Sequence, residues 1–411
     1  MGADSVIINN RIEFEQYDGV KINYSNLEIP NSKFQIPTIS LLFENDIKEQ
    51  LIECFTVDGY KAFFKTNNSD FPFDIFAASF YLLSRYEEYL PHEKDMYGRY
   101  AHENSLAFKE GFLKLPLVNI WINDLAEKLK KKFSIFNPRF SIFNFIPTYD
   151  IDIAYSYKNK GSARNLGGAL KSIATFQLSS FVKRIAVLTG TRRDPFDTFD
   201  WLDSLHQQYY LNPFYFFLVA KKNALYDKNI LPHTKVMHQL VQRHEKKYSI
   251  GIHPSWQSGD DLLILKKEKK YLEDVSGKAI MNSRQHYIRF NLPDSYRRLI
   301  NIGITNDYSM GYGSINGFRA SVASPFYWFD LKKNEQTSLR IHSFCYMEAN
   351  SYYEQKLSAN EAYDEMMYYY SVCKEVNGTF ICIWHNHSLG SDKQIYQGWN
   401  KVYKKFLNTV C

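Results

Sequence analysis

Residues 144–152 read Asn-Phe-Ile-Pro-Thr-Tyr-Asp-Ile-Asp, and the interpretation of the whole chain starts from this stretch. An apolar, aromatic run stops at two carboxylates, Asp150 and Asp152, which are separated by one residue. A buried strand that ends this way places both acids at its carboxyl end, where α/β folds and β/α barrels build their active sites. Two carboxylates this close repel each other unless a cation lies between them or they share a proton. The pair is therefore either a metal ligand beside a proton-transfer group or a solvated turn after a strand.

Apolar, strand-like runs recur from residue 143 onward, and polar or catalytic side chains follow most of them. The runs are Phe143–Tyr149, Phe214–Ala220, Ser249–His253, Lys278–Asn282, Ile300–Ile304, Ser338–Phe344 and Phe380–His385. Helical patterns lie between them at 196–208, 234–247, 260–274 and 360–375. Alternating strands and helices indicate a parallel sheet, and about seven such units over roughly 270 residues fit a barrel. We predict an α/β fold in which a distorted (β/α)7-type barrel spans 141–411 and a smaller N-terminal accessory α/β domain spans 1–140.

The N-terminal part carries its own helix signals. Residues 71–90 have a helical apolar pattern, with Asp74 as a predicted N-cap. Residues 116–132 form a second amphipathic pattern that ends in Lys-rich positions, which suits the dipole of a helix. Asn137-Pro138 favours a turn, so a domain boundary is predicted within 135–142.

Composition excludes several classes of protein. The 411 residues are 45% hydrophobic and carry a net charge of only +6, and the basic runs at 130–132 and 266–270 lie in helical, mixed-charge contexts. These runs are typical of solvated faces, so no nucleic-acid partner is predicted. The five cysteines lack metal or redox spacing and indicate free thiols. No signal core or membrane-spanning stretch is recognisable, so a cytoplasmic protein without a transmembrane segment is expected.

Further chemistry-bearing residues follow the later strands. They are His253, Arg284, Asp307 and His385. A single histidine at a strand end is most often a hydrogen-bonded structural group. Together with Asp150, however, these groups would converge on one face of a barrel.

The order of these motifs resembles the polysaccharide deacetylase (NodB homology) family of carbohydrate esterases, of the carbohydrate esterase 4 type. The order is Asp-x-Asp, Gly-x-His, Arg-x-x-Tyr, Asp and apolar-x-His, and the resemblance covers about 140–411. It is closest to a branch common in Bacteroidetes-type bacteria that has an extra N-terminal domain. In that branch Gly-x-His-Pro-Ser (251–255 here) and Ser-Met-Gly-Tyr with Gly-Phe-Arg-Ala (309–312 and 317–320) recur. The segments 84–89 and 98–100 look like its N-terminal domain.

The resemblance implies a role for each matching position. Asp150 would be the general base, oriented by Arg284, and His385 would be the general acid, held by Asp307. Tyr287 would offer a backbone N–H to the developing oxyanion. Asp152 and His253 would bind a divalent metal ion, with zinc as the first candidate, which activates water and polarises the acyl carbonyl.

The chain departs from the family pattern at the expected third metal ligand. The family places a second histidine four residues after the first, and Gln257 stands there. A glutamine oxygen is a weak zinc ligand, so the third ligand is left open between Gln257, Ser255 and water. His286 stands where the family usually has proline and could line the pocket or pack in the core. Arg319 could grip an anionic group of the substrate or fix a loop, and Trp256 could stack on a sugar or pack in the core.

Three functions follow from these observations. The first is a metal-dependent hydrolase of linear amide bonds that removes an N-acetyl or similar acyl group from a glycan or amino sugar, such as a cell-envelope polysaccharide. The second is a non-catalytic, glycan-binding descendant of the same barrel, which the missing histidine suggests. The third is a phosphatase of the haloacid-dehalogenase type, because an Asp-x-Asp also forms that nucleophile loop. Ala154 replaces the Thr or Val of that loop, however.

Overall fold

The computed structural model describes residues 5–30, 32–134, 136, 141–390 and 395–411. In the N-terminal part, strands β1 (Phe55–Val57) and β2 (Tyr60–Ala62) form an antiparallel hairpin. The helices of this part are α1 (Arg11–Gln16), α2 (Ile75–Leu83), α3 (Leu106–Lys109) and α4 (Leu117–Lys132). The side chain of Asp74 accepts a hydrogen bond from the Ala77 N–H at the start of α2, so the predicted N-cap is confirmed. The predicted boundary at 140/141 lies next to residues outside the described ones.

The second part contains a nine-stranded sheet. Its strands are β3 (Asn144–Ile151), β4 (Phe214–Phe217), β5 (Ser249–Ile252), β6 (Asn282–Ser283), β7 (Asn306–Asp307), β8 (Phe326–Asp330), β9 (Glu335–Ile341), β10 (Tyr346–Met347) and β11 (Thr379–His385). Their order is β10-β11-β3-β4-β5-β6-β7-β9-β8. All neighbours run parallel except β8, which pairs antiparallel with β9.

The helices of the second part are named in chain order. They are α5 (Ser162–Ala174), α6 (Leu178–Leu188), α7 (Phe199–Gln208), α8 (Lys235–Glu245), α9 (Leu262–Ser276), α10 (Asp294–Asn301), α11 (Ala359–Glu375) and α12 (Trp399–Val410). The four predicted helical segments correspond to α7, α8, α9 and α11. The α/β class predicted from the sequence is therefore confirmed.

The segment that joins β9 to β10 closes the sheet into a ring. The His342 N–H donates to Asp307 O at 2.8 Å and the Phe344 N–H donates to Met310 O at 3.1 Å, which extends the pairing with β7. The Cys345 N–H then donates to Ile381 O at 3.4 Å, on the side of β11. β9 and β10 thus act as one bent strand between β7 and β11. In the described part of the chain this gives a distorted seven-strand barrel, with β8 as an outer hairpin arm.

The close packing of β4 and β5 explains the Gly-x-His motif. A Cβ atom on Gly251 would lie 2.6 Å from the ring of Phe216 and 2.8 Å from Asn282 O, so no larger residue fits between the neighbouring strands. The glycine keeps β5 in register, and His253 follows two residues later at the carboxyl end of that strand.

One predicted strand is wrong, and another, Lys278–Asn282, overlaps β6 at Asn282 alone. Ile300–Ile304 lies at the end of α10 and in the loop after it, because the buried residues Ser295, Tyr296 and Leu299 follow the spacing of a helix. Each of the short strands β6 and β7 has two residues, too few to leave an apolar pattern in the sequence.

The N-terminal part is joined to the barrel by a buried ionic cluster. Glu88 accepts hydrogen bonds from Arg85 Nε at 2.8 Å, and from Arg319 Nε at 2.8 Å and Nη2 at 2.6 Å. All three side chains are almost completely buried. Arg319 therefore does not reach a substrate. Its guanidinium pairs with a carboxylate of the N-terminal part, which the sequence pattern did not reveal.

Because several histidines are buried, we expect the free energy of unfolding to fall at mildly acidic pH. Burial lowers the pKa of His206 to about 3 and the pKa values of His244 and His342 to about 4. The unfolded chain, with a histidine pKa of about 6.5, binds more protons, so the stabilising contribution is complete above that pH and is lost as the pH falls towards 4. At pH 5 each histidine is expected to lower the free energy of unfolding by about 2 kcal/mol. Urea unfolding at pH 7 and pH 5 measures this. His244→Phe, which keeps a ring beside Tyr215, should reduce the pH dependence, and an unchanged dependence would contradict the assignment to His244.

Candidate active site

Five strands of the barrel deliver polar side chains to one end of the ring. Asp150 lies in β3 and Asp152 directly after it, and His385 is the last residue of β11. The remaining groups follow the ends of β5, β6 and β10, and they are His253, Arg284, His286 and Glu348. All these positions are at carboxyl ends of parallel strands, the face where barrels of this kind place their chemistry. Of the groups predicted to converge, Asp150, His253, Arg284 and His385 lie here, whereas Asp307 is bonded to serines.

Asp152 lies at the centre of this group. Its Oδ1 is 3.1 Å from Nε2 of His253, and its Oδ2 is 3.5 Å from Nε2 of His286 and 3.3 Å from Nε2 of His385. The three histidines are buried, and the Asp152 side chain is 17% exposed. A carboxylate therefore faces three imidazole nitrogens at the bottom of a small opening.

Each of these imidazoles is anchored through its other nitrogen. His253 Nδ1 lies 2.5 Å from Arg284 O, His286 Nδ1 lies 3.0 Å from Asp227 Oδ1, and His385 Nδ1 lies 2.7 Å from Glu348 Oε1. All three partners are acceptors, so Nδ1 carries the hydrogen in each ring. This is the arrangement that orients histidine ligands in metal sites.

The hydrogen bonds at Nδ1 imply that a cation or a proton lies between the imidazole rings and Asp152. With the hydrogen on Nδ1, a neutral ring turns the lone pair of Nε2 towards a carboxylate, which is repulsive unless a cation or a proton intervenes. Asp152 Oδ1 is also buried without a hydrogen-bond partner among the described residues. A buried carboxylate oxygen without a hydrogen-bond donor, next to an imidazole nitrogen, is typical of two ligands that share a metal ion.

The charges around the site shift several pKa values. Burial alone would raise the pKa of Asp152, but the nearby imidazoles, His286 foremost, hold it well below its usual range. Burial opposes protonation of His286, yet Asp152 raises the pKa of that imidazole to about 9. Against the same effect of burial, Glu348 and then Asp152 raise the pKa of His385 well above its usual value. The centre therefore stabilises positive charge, as a proton or as a metal ion.

The residues fit a metal ion. The ligand atoms of Asp152, His253 and His286 all lie within 4.8 Å of one another. Two imidazoles and one carboxylate are a donor set that suits zinc and leaves coordination positions open. The third member of this group is a histidine nitrogen that follows β6, not a group that follows β5.

The two residues considered from the sequence as third ligands make other contacts. The Gln257 amide donates to Asp227 Oδ2 at 3.1 Å, and the Ser255 hydroxyl accepts from the Ser258 N–H at 3.1 Å. Gln257 therefore helps to hold the carboxylate that anchors His286. This explains how the site can keep two histidines although the family position has none.

Asp150 is held as the resemblance implies. Its Oδ1 accepts from Arg284 Nη1 at 2.9 Å, and the same Nη1 donates to Thr148 Oγ1 at 2.6 Å. Asp150 Oδ2 lies 3.8 Å from His253 Nε2. One oxygen of Asp150 is thus fixed by a guanidinium, and the other faces the candidate metal centre.

The partner of His385 differs from the sequence-based prediction. Asp307 accepts from the Ser283 hydroxyl at 2.6 Å and from the Ser309 N–H at 2.9 Å, and burial raises its pKa. Glu348, not Asp307, contacts the ring of His385. Glu348 escaped notice because it follows β10, a two-residue strand without a pattern of its own. The only hint in the sequence is an acid directly after Tyr346-Met347.

Aromatic side chains form the rim of the site. Tyr287 has a φ of 59°, a left-handed conformation that is uncommon for a residue with a Cβ. The N-terminal part supports this turn, because Arg99 Nη1 donates to Tyr287 O at 2.8 Å. The Trp256 ring stacks on Tyr226 at 4.0 Å and lies 4.5 Å from the Arg289 guanidinium, so much of its surface is already covered.

Comparisons with known proteins give one family model, which covers the N-terminal residues. A family model described as a family of unknown function, DUF7033, matches residues 1–134. A search of curated proteins gives no match. Among the described residues, no helix has the length and apolar character to cross a membrane.

Several solved structures are similar to the chain. One is described as a polysaccharide deacetylase from Mycobacterium smegmatis, with 12% identity and a TM-score of 0.42 over 67% of this chain and 86% of that chain. The polysaccharide deacetylase Bc1974 from Bacillus cereus has 10% identity and a TM-score of 0.31, over 65% and 87%. BA3943 from Bacillus anthracis, a CE4 family pseudoenzyme, has 6% identity and a TM-score of 0.33, over 67% and 63%. At these values the chemistry of the site has to be argued from this chain's own residues.

Proposed function

We propose that this chain is a metal-dependent hydrolase that removes an N-acetyl or similar acyl group from an amino sugar, free or within a glycan. One observation supports metal-dependent hydrolysis. Three imidazoles, each anchored through Nδ1, present Nε2 to the single carboxylate of Asp152, beside a second carboxylate paired with a guanidinium. The order of the sequence motifs supports an amino sugar as the substrate.

Asp152, His253 and His286 would hold the metal ion, with zinc as the first candidate. When bound, such an ion polarises an acyl carbonyl and makes water a better nucleophile at neutral pH. Asp150, fixed through Oδ1, would accept the water proton on Oδ2. The Tyr287 N–H would stabilise the developing oxyanion.

His385 would supply a proton to the departing amine. Glu348 and then Asp152 raise the pKa of His385, which favours the protonated imidazole, and Glu348 holds the ring with Nε2 directed into the site. A general acid must carry its proton before the bond breaks, so this electrostatic setting suits the role. Glu348 acts through His385 and is a positioning residue.

Glu348→Gln is expected to lower turnover by about 10- to 100-fold, because the carboxylate that orients and charges His385 is lost. The pKa of the alkaline limb of the kcat–pH profile, where the general acid loses its proton, should fall as well, which a merely structural defect would not cause. Steady-state rates across pH measure both effects. Asp307→Asn serves as the matched control and should leave turnover nearly unchanged. A larger loss in Asp307→Asn than in Glu348→Gln would overturn the assignment of Glu348.

The second candidate function is glycan binding without catalysis. The specific observation in its favour is Gln257, which stands at the family's usual histidine position and is tied to Asp227. A site that does not retain metal could still bind a sugar at the aromatic rim. The phosphatase alternative rests only on the spacing of Asp150 and Asp152.

Metal analysis combined with an acetate assay tests the proposal. The protein would be stripped with a chelator, reloaded with zinc, cobalt or nickel, and assayed for bound metal and for acetate released from N-acetylglucosamine oligomers. We expect metal retention and acetate release, and loss of metal in His286→Gln. His238→Gln, a half-buried histidine of α8, is the matched control and should retain the metal.

Three other results would contradict the proposal or part of it. Oligomer binding without acetate release would favour the non-catalytic function. Phosphate release from simple phosphoesters would favour the phosphatase. Full metal retention in His286→Gln would exclude His286 as the third ligand.

A further inference from the structure

A helical hairpin formed by α5 and α6 emerges from the barrel just after the active-site carboxylates. Each helix carries an apolar stripe at positions i, i+4 and i+7, which lie on one side of a helix. The stripes are exposed, and they are Leu166, Leu170 and Ile173 on α5 with Leu178, Val182 and Ile185 on α6. In the turn between the helices, Phe176 is 89% exposed.

The face of α5 that is turned towards the protein is polar, and α6 buries only Val187, near its end. On α5 the buried residues are Asn165 and Ser172. Asn165 donates to Tyr157 O at 2.9 Å and accepts from Arg184 at 3.0 Å. An ordinary surface helix has the opposite arrangement, with its apolar stripe against the core. The outward apolar stripes therefore indicate a surface that something else covers.

The charge of this region indicates what covers it. Residues 153–193 contain eight Lys and Arg and no Asp or Glu. Removing those eight from the 50 cations of the chain leaves 42, against 44 acids, so the excess positive charge of the protein comes from this region. Exposed cations lie along and beyond the hairpin, among them Lys171, Arg192 and Arg193.

We propose that the hairpin docks the protein on an anionic lipid surface, with the apolar stripes and Phe176 inserted at the level of the headgroups. Basic charge beside an outward apolar face is the signature of a helix that lies in a membrane interface. The helices have 13 and 11 residues, too short to span a bilayer. A second copy of the chain would bring the same basic region against itself, and like charges oppose that contact.

Docking at this point would also position the active site. The hairpin begins ten residues after Asp152. A cavity of about 590 Å³ is lined by Tyr155 and Lys158, from the segment that joins the two, and by Val187 and Leu188 at the end of α6. The opening of the site would then lie near the lipid surface. The inference goes beyond the proposed hydrolase and does not depend on it.

Vesicle sedimentation with the full chain tests the docking. Vesicles of phosphatidylcholine mixed with phosphatidylglycerol should pellet the protein, and vesicles of phosphatidylcholine alone should pellet much less. Phe176→Ser combined with Leu170→Ser should weaken binding by roughly tenfold or more, since inserted apolar area is lost. Lys171→Glu should weaken binding to the mixed vesicles, and added salt should weaken binding of the unmodified protein.

Matched controls lie on α9. Leu263 is 68% exposed, compared with 59% for Leu170, so Leu263→Ser removes a comparable surface leucine. Leu263→Ser and Lys267→Glu should leave binding unchanged, and Phe176→Trp should preserve it. Absence of binding to the mixed vesicles would overturn the proposal, as would an equal loss in the α9 variants. Sedimentation velocity showing a dimer that Phe176→Ser dissociates, without vesicle binding, would assign the surface to a second copy and also overturn it.

Discussion

Asp150→Asn is expected to lower acyl release by about a thousandfold or more while the protein retains its metal ion. Asparagine keeps the shape of the side chain and can still accept from Arg284, but it cannot take a proton from water at neutral pH. Asp150 is bonded to Arg284 and is not one of the three residues whose ligand atoms all lie within 4.8 Å of one another. Metal content should therefore be unchanged, whereas Asp152→Asn should lose the metal as well as the activity.

The structure shows that Asp150→Asn should also lower the stability of the protein, which the sequence did not predict. Arg284 is completely buried, and Asp150 is the carboxylate to which its guanidinium is bonded. Asp150→Asn leaves this cation without its counter-charge, so the free energy of unfolding should fall too. Rates must therefore be measured at a temperature where urea unfolding shows the variant fully folded. Thr148→Val removes the other side-chain partner of Arg284 Nη1. This variant is the control that shows whether a displaced guanidinium alone lowers the activity. Retained activity in Asp150→Asn would show that another group is the base.

Glu88→Gln is expected to lower the free energy of unfolding by about 3–5 kcal/mol. Two buried guanidiniums, Arg85 and Arg319, share the Glu88 carboxylate. Burial alone would raise the pKa of Glu88, but these guanidiniums, Arg319 foremost, lower it to about 2. A neutral amide would leave Arg319 without a buried counter-charge, and Arg85 would keep only Glu87, at 2.7 Å. Urea unfolding at pH 7 measures the change.

An exposed ion pair provides the control for this second prediction. Asp274→Asn removes the partner of Lys270 on the surface of α9, and the loss of such an exposed pair is expected to change the free energy of unfolding very little. Because the Glu88 cluster bonds the N-terminal part to the barrel, we also expect both parts to unfold in a single transition. A cost for Glu88→Gln no larger than that for Asp274→Asn would show that water compensates the buried charges.

The sequence predicted those parts of the site that long strands deliver. β3 and β11 have eight and seven residues with clear apolar patterns, and the acids and the histidine at their ends were recognised. His253 was found through its glycine, whose place in β5 leaves no room for a Cβ. The class of the fold followed from the same alternation of strands and helices.

The remaining parts depend on contacts that no local pattern encodes. His286 was weighed as a lining or packing residue, because its ligand character comes from Asp227, 59 positions away, which turns Nε2 towards Asp152. Glu348 follows a strand of two residues, and Asp307 was matched to His385 by motif order although the geometry pairs it with serines. The α5–α6 hairpin was not predicted, since it lies outside the regular alternation of strand and helix.

The hydrogen bond from Arg99 to Tyr287 has a consequence for how such chains can diversify. The turn beside His286 is braced by a residue from the first 134 positions, so the two segments jointly shape one wall of the opening. Exchanging the leading segment between relatives would then redirect which molecules are admitted while the reactive groups stay untouched. Selection would thus change this wall through one part of the gene and leave the polar groups of the site, encoded in the other part, as they are.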